Sequence, residues 1–243
     1  MTGLLALTSA KHAPGVTTAA IALALAAGPE PVSLIVEADP AGGDLAARCE
    51  ARIEPGLGSL AASARHGVSV DLVPHVQALS SGPWALLAPP SPHLTTSALG
   101  ALGDRLVDGL ASWPGTVVAD CGRWEAHGAA TPLLRAADAV LIVLRPTVEG
   151  VEHVRARLEE ITAAATGALG ALVVGDRPYP AADVAAALGI PVAGTLPLDA
   201  RAVRGLERSG IGADSRRSTL VRAARSALDA MSRWPQPKAE VWA

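Results

Sequence analysis

Glycine and hydroxyl residues separate an apolar segment from an Ala/Leu-rich segment near the start of this chain of 243 residues. Residues 4–7 (LLAL) predict a buried strand, residues 8–16 form a polar turn, and a helix begins near Thr17 and Thr18. This order brings free backbone N–H groups and the positive end of the helix dipole to one point. The stretch therefore predicts a phosphate-binding site.

A carboxylate follows another apolar run further along the chain. Residues 117–119 (VVA) predict a buried strand, and Asp120 comes directly after them. An acid at the carboxyl end of such a strand can hold a magnesium-bound water opposite the threonine of a phosphate loop. We therefore expect Asp120 and Thr17 to share a Mg²⁺ site.

The phosphate loop departs from the pattern G-x-x-x-x-G-K-[ST]. Gly15 and Thr17 are in place, but Val16 stands where a lysine would reach the β- and γ-phosphates, and Pro14 has no backbone N–H. Loss of one charge-assisted phosphate contact costs on the order of 1.5 to 3 kcal/mol, which is roughly tenfold to a hundredfold in affinity. Weak binding of ATP at millimolar concentration, with slow or absent hydrolysis, is the expectation.

The same segment, KHAPGVTT, resembles the deviant Walker A loop K-G-G-x-G-K-T-T of the ParA/MinD-type ATPases. Lys11 falls on the signature lysine, which in that family crosses a dimer interface to the partner's phosphates. His12 and Ala13 replace two glycines of the pattern, and Val16 replaces the P-loop lysine. The chain has only two lysines against eighteen arginines, so a lysine at this position is informative. An ordinary solvated loop lysine is the alternative.

Other segments extend the resemblance. The tetrapeptide 37–40 (EADP) resembles the family's D-x-D-P, which implies that Asp39 assists the attacking water and the magnesium shell, with Glu37 in place of the first acid. An Asp before a proline is also an ordinary turn residue. Residues 197–199 (PLD) resemble the I-P-x-D loop that packs against the base. Gly175 stands where relatives commonly carry an adenine-reading Asn, and Gly122 comes earlier than the usual glycine that senses the γ-phosphate.

Taken together, these matches imply a complete set of site residues. The catalytic residues would be Asp39 and Lys11, and the magnesium ligands would be Thr17, Asp39 and Asp120. The nucleotide-binding residues would be Lys11, Pro14, Gly15, Val16, Thr17, Thr18, Pro197 and Asp199.

Strand and helix patterns alternate along the chain. Further strands are predicted at 32–36, 84–88, 139–144, 170–174 and 190–196, and helices at 99–110, 148–161, 183–188 and 216–234. This order predicts an α/β fold with a doubly wound, mostly parallel sheet, helices on both faces, and a ligand crevice at the carboxyl edge of the strands. We expect one domain over 1–234 and a flexible tail over 235–243.

Composition narrows the class of protein. Cys49 and Cys121 are too few for a disulfide framework or a zinc site, no apolar run reaches eighteen residues, and the start of the chain lacks a basic leader, so a reduced, cytoplasmic protein is expected. The formal net charge of -3 gives no footprint for nucleic acid.

The last predicted helix is amphipathic and leaves three alternatives open. It could dock on the sheet, or contact a membrane as the terminal helix of MinD proteins does. Arginines near the C-terminus could also touch DNA nonspecifically, although a solvated face is the simpler explanation. These arginines are Arg201, Arg204, Arg208, Arg216, Arg217, Arg222 and Arg225.

Three functions are compatible with the sequence. The first is a ParA/MinD-like ATP-binding homodimer that acts as a switch or positioning factor in partitioning, polar localisation or pilus and secretion assembly; phosphate loops without the lysine occur in the TadZ/CpaE branch. The second is a scaffold that binds no nucleotide and works through its surfaces. The third, an enzyme acting on a small molecule as in the dethiobiotin-synthetase group, has no additional substrate-binding constellation to support it.

Overall fold

Eight strands form one sheet in the computed structural model, which describes residues 3–11, 14–28, 32–65, 70–79, 82–203 and 218–234. The spatial order is β3-β4-β2-β5-β1-β6-β7-β8, and every neighbouring pair is parallel except β3 with β4. The strands are β1 Gly3–Ser9, β2 Leu34–Glu37, β3 Gln77–Ala78, β4 Trp84–Leu86, β5 Thr116–Arg123, β6 Ala139–Leu144, β7 Ala168–Val174 and β8 Val192–Leu196.

Helices cover both faces of this sheet. Side chains alternate along β1, so that Leu4 and Ala6 join the apolar cluster on one face while Leu5 and Leu7 join the cluster on the other. The helices are α1 Val16–Ala26, α2 Leu45–Arg48, α3 Leu57–Ala64, α4 Pro92–Leu102, α5 Asp104–Ala111, α6 Thr131–Ala136, α7 Val148–Arg155, α8 Leu158–Ala164, α9 Ala181–Leu188 and the C-terminal helix Thr219–Met231. The predicted doubly wound, mostly parallel α/β fold is confirmed.

The phosphate-loop strand β1 lies inside the sheet, between β5 and β6. Leu7 pairs with Asp120 of β5, and Glu37 of β2 pairs with the same Asp120 from the other side. Because these strands are parallel, their carboxyl ends meet at one edge. The residues that follow β1 and β2 are thereby brought next to Asp120.

Two predicted helices are each divided in two. The apolar face of the helix predicted over 99–110 is buried as expected. However, Gly103, with a φ of 51°, ends α4, and a new helix, α5, begins at Asp104. The stripe over 148–161 likewise breaks at Ala156 and Arg157. Periodicity predicts which side chains face the core, and it says nothing about the continuity of the backbone between turns.

Two strand predictions also need correction. Asp120 does not end its strand, because β5 continues to Arg123. The two-residue strand β3 is absent from the sequence prediction, since Gln77 and Ala78 are too few to show alternation.

The C-terminal helix docks on α1 and β8. Its apolar residues Leu220, Val221, Ala224, Ala227 and Met231 are buried in the same cluster as α1. The face that could have entered a membrane is therefore occupied, which removes the basis of the membrane alternative. No helix in the described part of the chain is long and apolar enough to cross a bilayer.

The DNA alternative rests on arginines that are only partly described. Arg201, Arg222 and Arg225 are exposed, as a solvated face requires. Arg204, Arg208, Arg216 and Arg217 lie outside the described residues, as does the predicted tail over 235–243.

Docking of the C-terminal helix can be tested with two substitutions on opposite sides of it. Ala224 is fully buried, so A224D places a carboxylate in the apolar cluster and should lower the free energy of unfolding by at least about 3 kcal/mol. Ser226 is exposed, and S226D should change it by no more than about 0.5 kcal/mol. Urea denaturation measures both. Equal stability of the two variants would mean that this face is free in solution.

Candidate functional site

The backbone at the N-terminus of α1 has the geometry of an anion-binding site. Gly15 occupies the N-cap with φ 106° and ψ 37°, a left-handed conformation that favours glycine. Because glycine has no side chain, the N–H groups of the first turn receive no side-chain cap. Free N–H groups and the helix dipole together favour a negatively charged ligand at this point.

Asp120 lies against this first turn. Its carboxylate is about 1% exposed and accepts a hydrogen bond through Oδ1 from the Gly122 N–H at 3.1 Å, and the Thr17 hydroxyl lies close enough to influence its pKa. The second oxygen, Oδ2, is buried and has no hydrogen-bond partner among the described residues. Burial raises the pKa of Asp120 from 3.8 to about 7, and the nearby charges of Asp39 and Glu37 add to the rise. The Thr17 hydroxyl and the Gly122 N–H lower the pKa and offset part of this rise.

Asp39, two residues after the end of β2, packs against Gly122, the residue whose N–H binds Asp120. A Cβ placed on Gly122 would lie 2.1 to 2.4 Å from the Asp39 carboxyl group, and Gly122 has a φ of 58°. Asp39 also accepts the Ala41 N–H through Oδ1 at 2.8 Å, which is the turn arrangement that the sequence left open. Burial raises the pKa of Asp39, and the Ala41 N–H opposes that shift. The turn and the contact with Gly122 coexist, and the Asp39 carboxylate lies near enough to Asp120 to raise the pKa of that residue.

Glu37, which stands where the family carries its first acid, is engaged elsewhere. Its Oε1 accepts the N–H groups of Asp44 at 2.5 Å and Leu45 at 2.7 Å, and its Oε2 accepts that of Ala88 at 2.9 Å. Burial raises the pKa of Glu37, whereas these three hydrogen bonds lower it. The side chain holds the start of α2 and the segment after β4 in place.

A cavity of about 420 Å³ opens beside the first turn of α1. Of the predicted nucleotide-binding residues, Pro14, Gly15, Thr18, Pro197 and Asp199 line it. Its volume is within the range of small-molecule sites. The structure thus brings the two distant predicted segments, around 15 and around 198, to one cavity.

The far wall of this cavity is a loop held by hydrogen bonds of Asp199. Asp199 accepts hydrogen bonds from the N–H groups of Arg201 and Ala202 through Oδ1 and from the Thr219 hydroxyl through Oδ2. These bonds lower the pKa of Asp199, and the bond from the Ala202 N–H has the largest effect. Leu198 is 61% exposed at the mouth and approaches Gly175 from the side where a Cβ would point. Leu198 offers an apolar surface on which a nucleotide base could pack. The Asp199 carboxylate, in contrast, accepts hydrogen bonds from its own chain.

Lys11 and Val16 do not line that cavity. Lys11 is exposed and borders a second cavity of about 290 Å³, next to Arg145, Glu149 and His153. Val16 is only 5% exposed and belongs to the apolar cluster around α1. His12 and Ala13 lie outside the described residues. Among the described residues of the phosphate loop, no cation lines the cavity beside α1.

Sequence reasoning missed two cations near this site. Arg48, the last residue of α2, donates a hydrogen bond from Nη1 to the Thr18 hydroxyl at 3.1 Å. A four-residue helix gives no periodic signal, and the contact joins residues thirty positions apart. Arg145 was also overlooked, although it borders both cavities.

The residues present fit magnesium held together with a nucleotide. No group of three His, Cys, Asp or Glu side chains in the described ranges could hold a metal ion by itself. Two carboxylates, Asp39 and Asp120, and the Thr17 hydroxyl form a smaller oxygen set. Mg²⁺ is commonly bound in this way, through one or two carboxylates and the phosphates of a substrate. The unpartnered Oδ2 of Asp120 is an acceptor that such a ligand shell would use.

Solved structures decide the fold. A ParA family ATPase from Chlorobium tepidum TLS superposes with a TM-score of 0.76 at 18% identity, covering 94% of this chain and 99% of that one. The fold is that of the ParA and MinD ATPases. The septum site-determining protein MinD from Pyrococcus horikoshii OT3, complexed with Mg-ADP, has a TM-score of 0.78 at 17% identity, covering 96% of this chain and 97% of that one.

A third structure with this ParA/MinD fold is an enzyme of another kind. Cobyrinic acid a,c-diamide synthase from Mycobacterium smegmatis, with a bound ATP analogue and magnesium, has a TM-score of 0.66 at 19% identity, covering 96% of this chain and 95% of that one. No protein-family model and no curated protein matches the sequence. The comparisons therefore show the fold, and function must be argued from the site.

The close packing of Gly122 against Asp39 predicts the effect of a methyl group. G122A should lower the free energy of unfolding by at least about 1 kcal/mol, because alanine disfavours a φ of 58° and its Cβ would overlap the Asp39 carboxyl group. G100A is the matched control. Gly100 lies in α4 with nothing within 4 Å of its Cβ position, so alanine there should stabilise by roughly 0.5 to 1 kcal/mol. Urea denaturation of both variants is the measurement, and a neutral G122A would contradict this geometry.

The raised pKa of Asp120 predicts how stability changes with pH in the metal-free protein. Between about pH 4 and 7 the folded state retains a proton that the unfolded state has lost, so the stability of the fold should fall as pH rises, by at most about 1.4 kcal/mol per pH unit. D120N removes this titration.

The measurement is the difference in unfolding free energy between the wild type and D120N, from urea curves at pH 4.5 to 8.5 in EDTA. This difference should fall up to about pH 7 and flatten above it. D108N, at an exposed aspartate, should leave the wild-type slope unchanged. A constant difference would show that Asp120 is already ionised in the fold.

Proposed function

We propose that this protein binds ATP with Mg²⁺ at the head of α1 and acts as a ParA/MinD-like, nucleotide-dependent dimerising switch or positioning factor. One observation carries the proposal. Asp120 lies near Thr17 and Asp39, its buried Oδ2 has no hydrogen-bond partner among the described residues, and a 420 Å³ cavity opens beside the same turn of α1. An acceptor of this kind is what a magnesium-nucleotide site requires.

Each part of the site has a distinct role in this proposal. The N–H groups after Gly15 bind phosphate oxygens, and Thr17 and Asp120 hold the magnesium shell. Asp39 orients the attacking water, since its carboxylate lies near Asp120 without being fully buried. The base occupies the cavity between Thr18 and Pro197, against the exposed side chain of Leu198. Bound Mg²⁺ supplies positive charge to the phosphates.

Hydrolysis is proposed to be weak or absent. Val16 is buried in the core and provides no charge to the β- and γ-phosphates, and Pro14 has no N–H to donate. Catalysis of phosphoryl transfer depends mainly on positioning and on positive charge around the transferred group. The nucleotide would then act chiefly as a ligand that sets the state of the protein.

Lys11 supports the dimeric part of the proposal. It is exposed, borders a cavity other than the one beside Thr18, and has no carboxylate at ion-pair distance in the described part of the chain. A lysine in this position is free to reach the phosphates of a second copy. A role in positioning pilus or secretion machinery, as in the TadZ/CpaE branch, is the cellular function that we propose on the resemblance alone.

A scaffold without nucleotide is the second candidate. The buried Val16 and the proline at position 14 favour it, because both weaken the phosphate loop. Calorimetry with Mg-ATP separates the two. Heat of binding at millimolar ligand favours the switch, and its absence favours the scaffold.

The dimeric switch makes a specific prediction for Lys11. Mg-ATP should shift the wild type from monomer to dimer in sedimentation velocity, and K11A should remain monomeric while it still binds Mg-ATP, since the lysine serves the partner's nucleotide. K238A, which changes the only other lysine, is the control and should dimerise as the wild type does. A wild type that stays monomeric at saturating Mg-ATP would refute the switch.

A further inference from the structure

The first turn of α1 has an uncompensated cation beside it. Arg48 reaches from the end of α2 and donates from Nη1 to the Thr18 hydroxyl at 3.1 Å. Its side chain is half-buried, and no carboxylate in the described ranges lies at ion-pair distance from it. A guanidinium carries five N–H donors, and this contact uses one of them.

With respect to α1 alone, this placement is electrostatically unfavourable, although Arg48 is also the last residue of α2. The N-terminus of a helix carries a partial positive charge, so a cation is ordinarily favoured at the other end. Thr18 is the third residue of α1, and the guanidinium therefore lies within the first turn. An anion with more than one negative charge, bound at this turn, would satisfy the guanidinium and the helix dipole together.

A second feature of the same turn points to a ligand. Thr17, the neighbour of Thr18, lies close to Asp120, whose buried Oδ2 has no partner among the described residues. Among the described residues, the guanidinium on one side has no carboxylate at ion-pair distance and the carboxylate oxygen on the other has no hydrogen-bond partner, an arrangement that matches a phosphate chain carrying a cation. Phosphate oxygens would meet Arg48, and the cation would meet Asp120.

We propose that Arg48 is a phosphate-binding residue of the nucleotide site and supplies, from α2, the positive charge that Val16 cannot supply from the loop. The proposal rests on the nucleotide binding proposed above. The Thr18 hydroxyl orients the guanidinium, and the planar guanidinium can offer two parallel N–H donors to one phosphate. Arginine remains charged at every accessible pH, so this contact does not depend on protonation.

The test measures the dissociation constant of Mg-ADP by calorimetry on the full chain. R48M keeps the length and the apolar stem of the side chain without its charge, and R48K keeps the charge. R48M should bind roughly tenfold to a hundredfold more weakly than the wild type, and R48K should recover part of the loss, because it keeps the charge without the planar pair of donors. R52M, at an exposed arginine four residues away, removes the same charge and should bind as the wild type does.

Thermal melting without nucleotide gives an independent readout. If Arg48 serves the ligand, R48M should melt at the same temperature as the wild type or higher, because it removes a cation from a positive helix end. If Arg48 serves only to join α2 to α1, R48M should melt at a lower temperature.

The outcomes separate the two proposals. Mg-ADP affinity that is equal in the wild type and R48M, or equally weak in R48K and R48M, overturns the role of Arg48 and leaves nucleotide binding intact. A wild type that binds neither Mg-ADP nor Mg-ATP overturns the proposed function, and this role with it. Should R48M not fold, R48Q takes its place in the same comparison with R48K.

Discussion

The site depends on a buried carboxylate held beside a helix N-terminus. Side chains of β5 alternate, so that Val118 and Asp120 face α1 while Ala119 and Cys121 face the opposite cluster. The parallel register that pairs Leu7 with Asp120 sets this orientation. A shift of one residue would turn the acid away from Thr17 and bring Ala119 or Cys121 to its position. The register between β1 and β5 therefore determines whether the acid of β5 lies beside the phosphate loop that follows β1.

Two acids, Glu37 and Asp120, are neighbours across β2 and β5, yet their surroundings give them different tasks. Glu37 accepts three backbone N–H groups and serves as an internal clamp. Asp120 retains an oxygen without a partner among the described residues. Burial raises the pKa of both carboxyl groups, and in Glu37 three backbone hydrogen bonds oppose that shift. Because the clamp fixes the start of α2, it also determines where the end of that helix lies.

Much of this architecture could be predicted from the sequence. The central strands are continuous apolar runs, and glycine, proline and acidic residues mark their ends, so β1, β6 and the beginning of α1 were predicted closely. The meeting of Thr17, Asp39 and Asp120 followed from strand order. What could not be predicted depends on tertiary contacts. The break at Gly103, the hydrogen bonds of Glu37 and the reach of Arg48 to Thr18 leave no periodic trace.

The fold alone does not decide the chemistry, since it is shared with a MinD protein complexed with Mg-ADP and with a diamide synthase. In this chain, Arg48 of α2 brings a positive charge to the first turn of α1. A lysine in the phosphate loop belongs to a rigid turn, whereas Arg48 belongs to the segment that begins with Asp39. Phosphate bound by that arginine would tie this segment to α1. Occupancy of the site would then be coupled to the conformation of residues 39–48, which is the kind of coupling that a nucleotide-dependent switch requires.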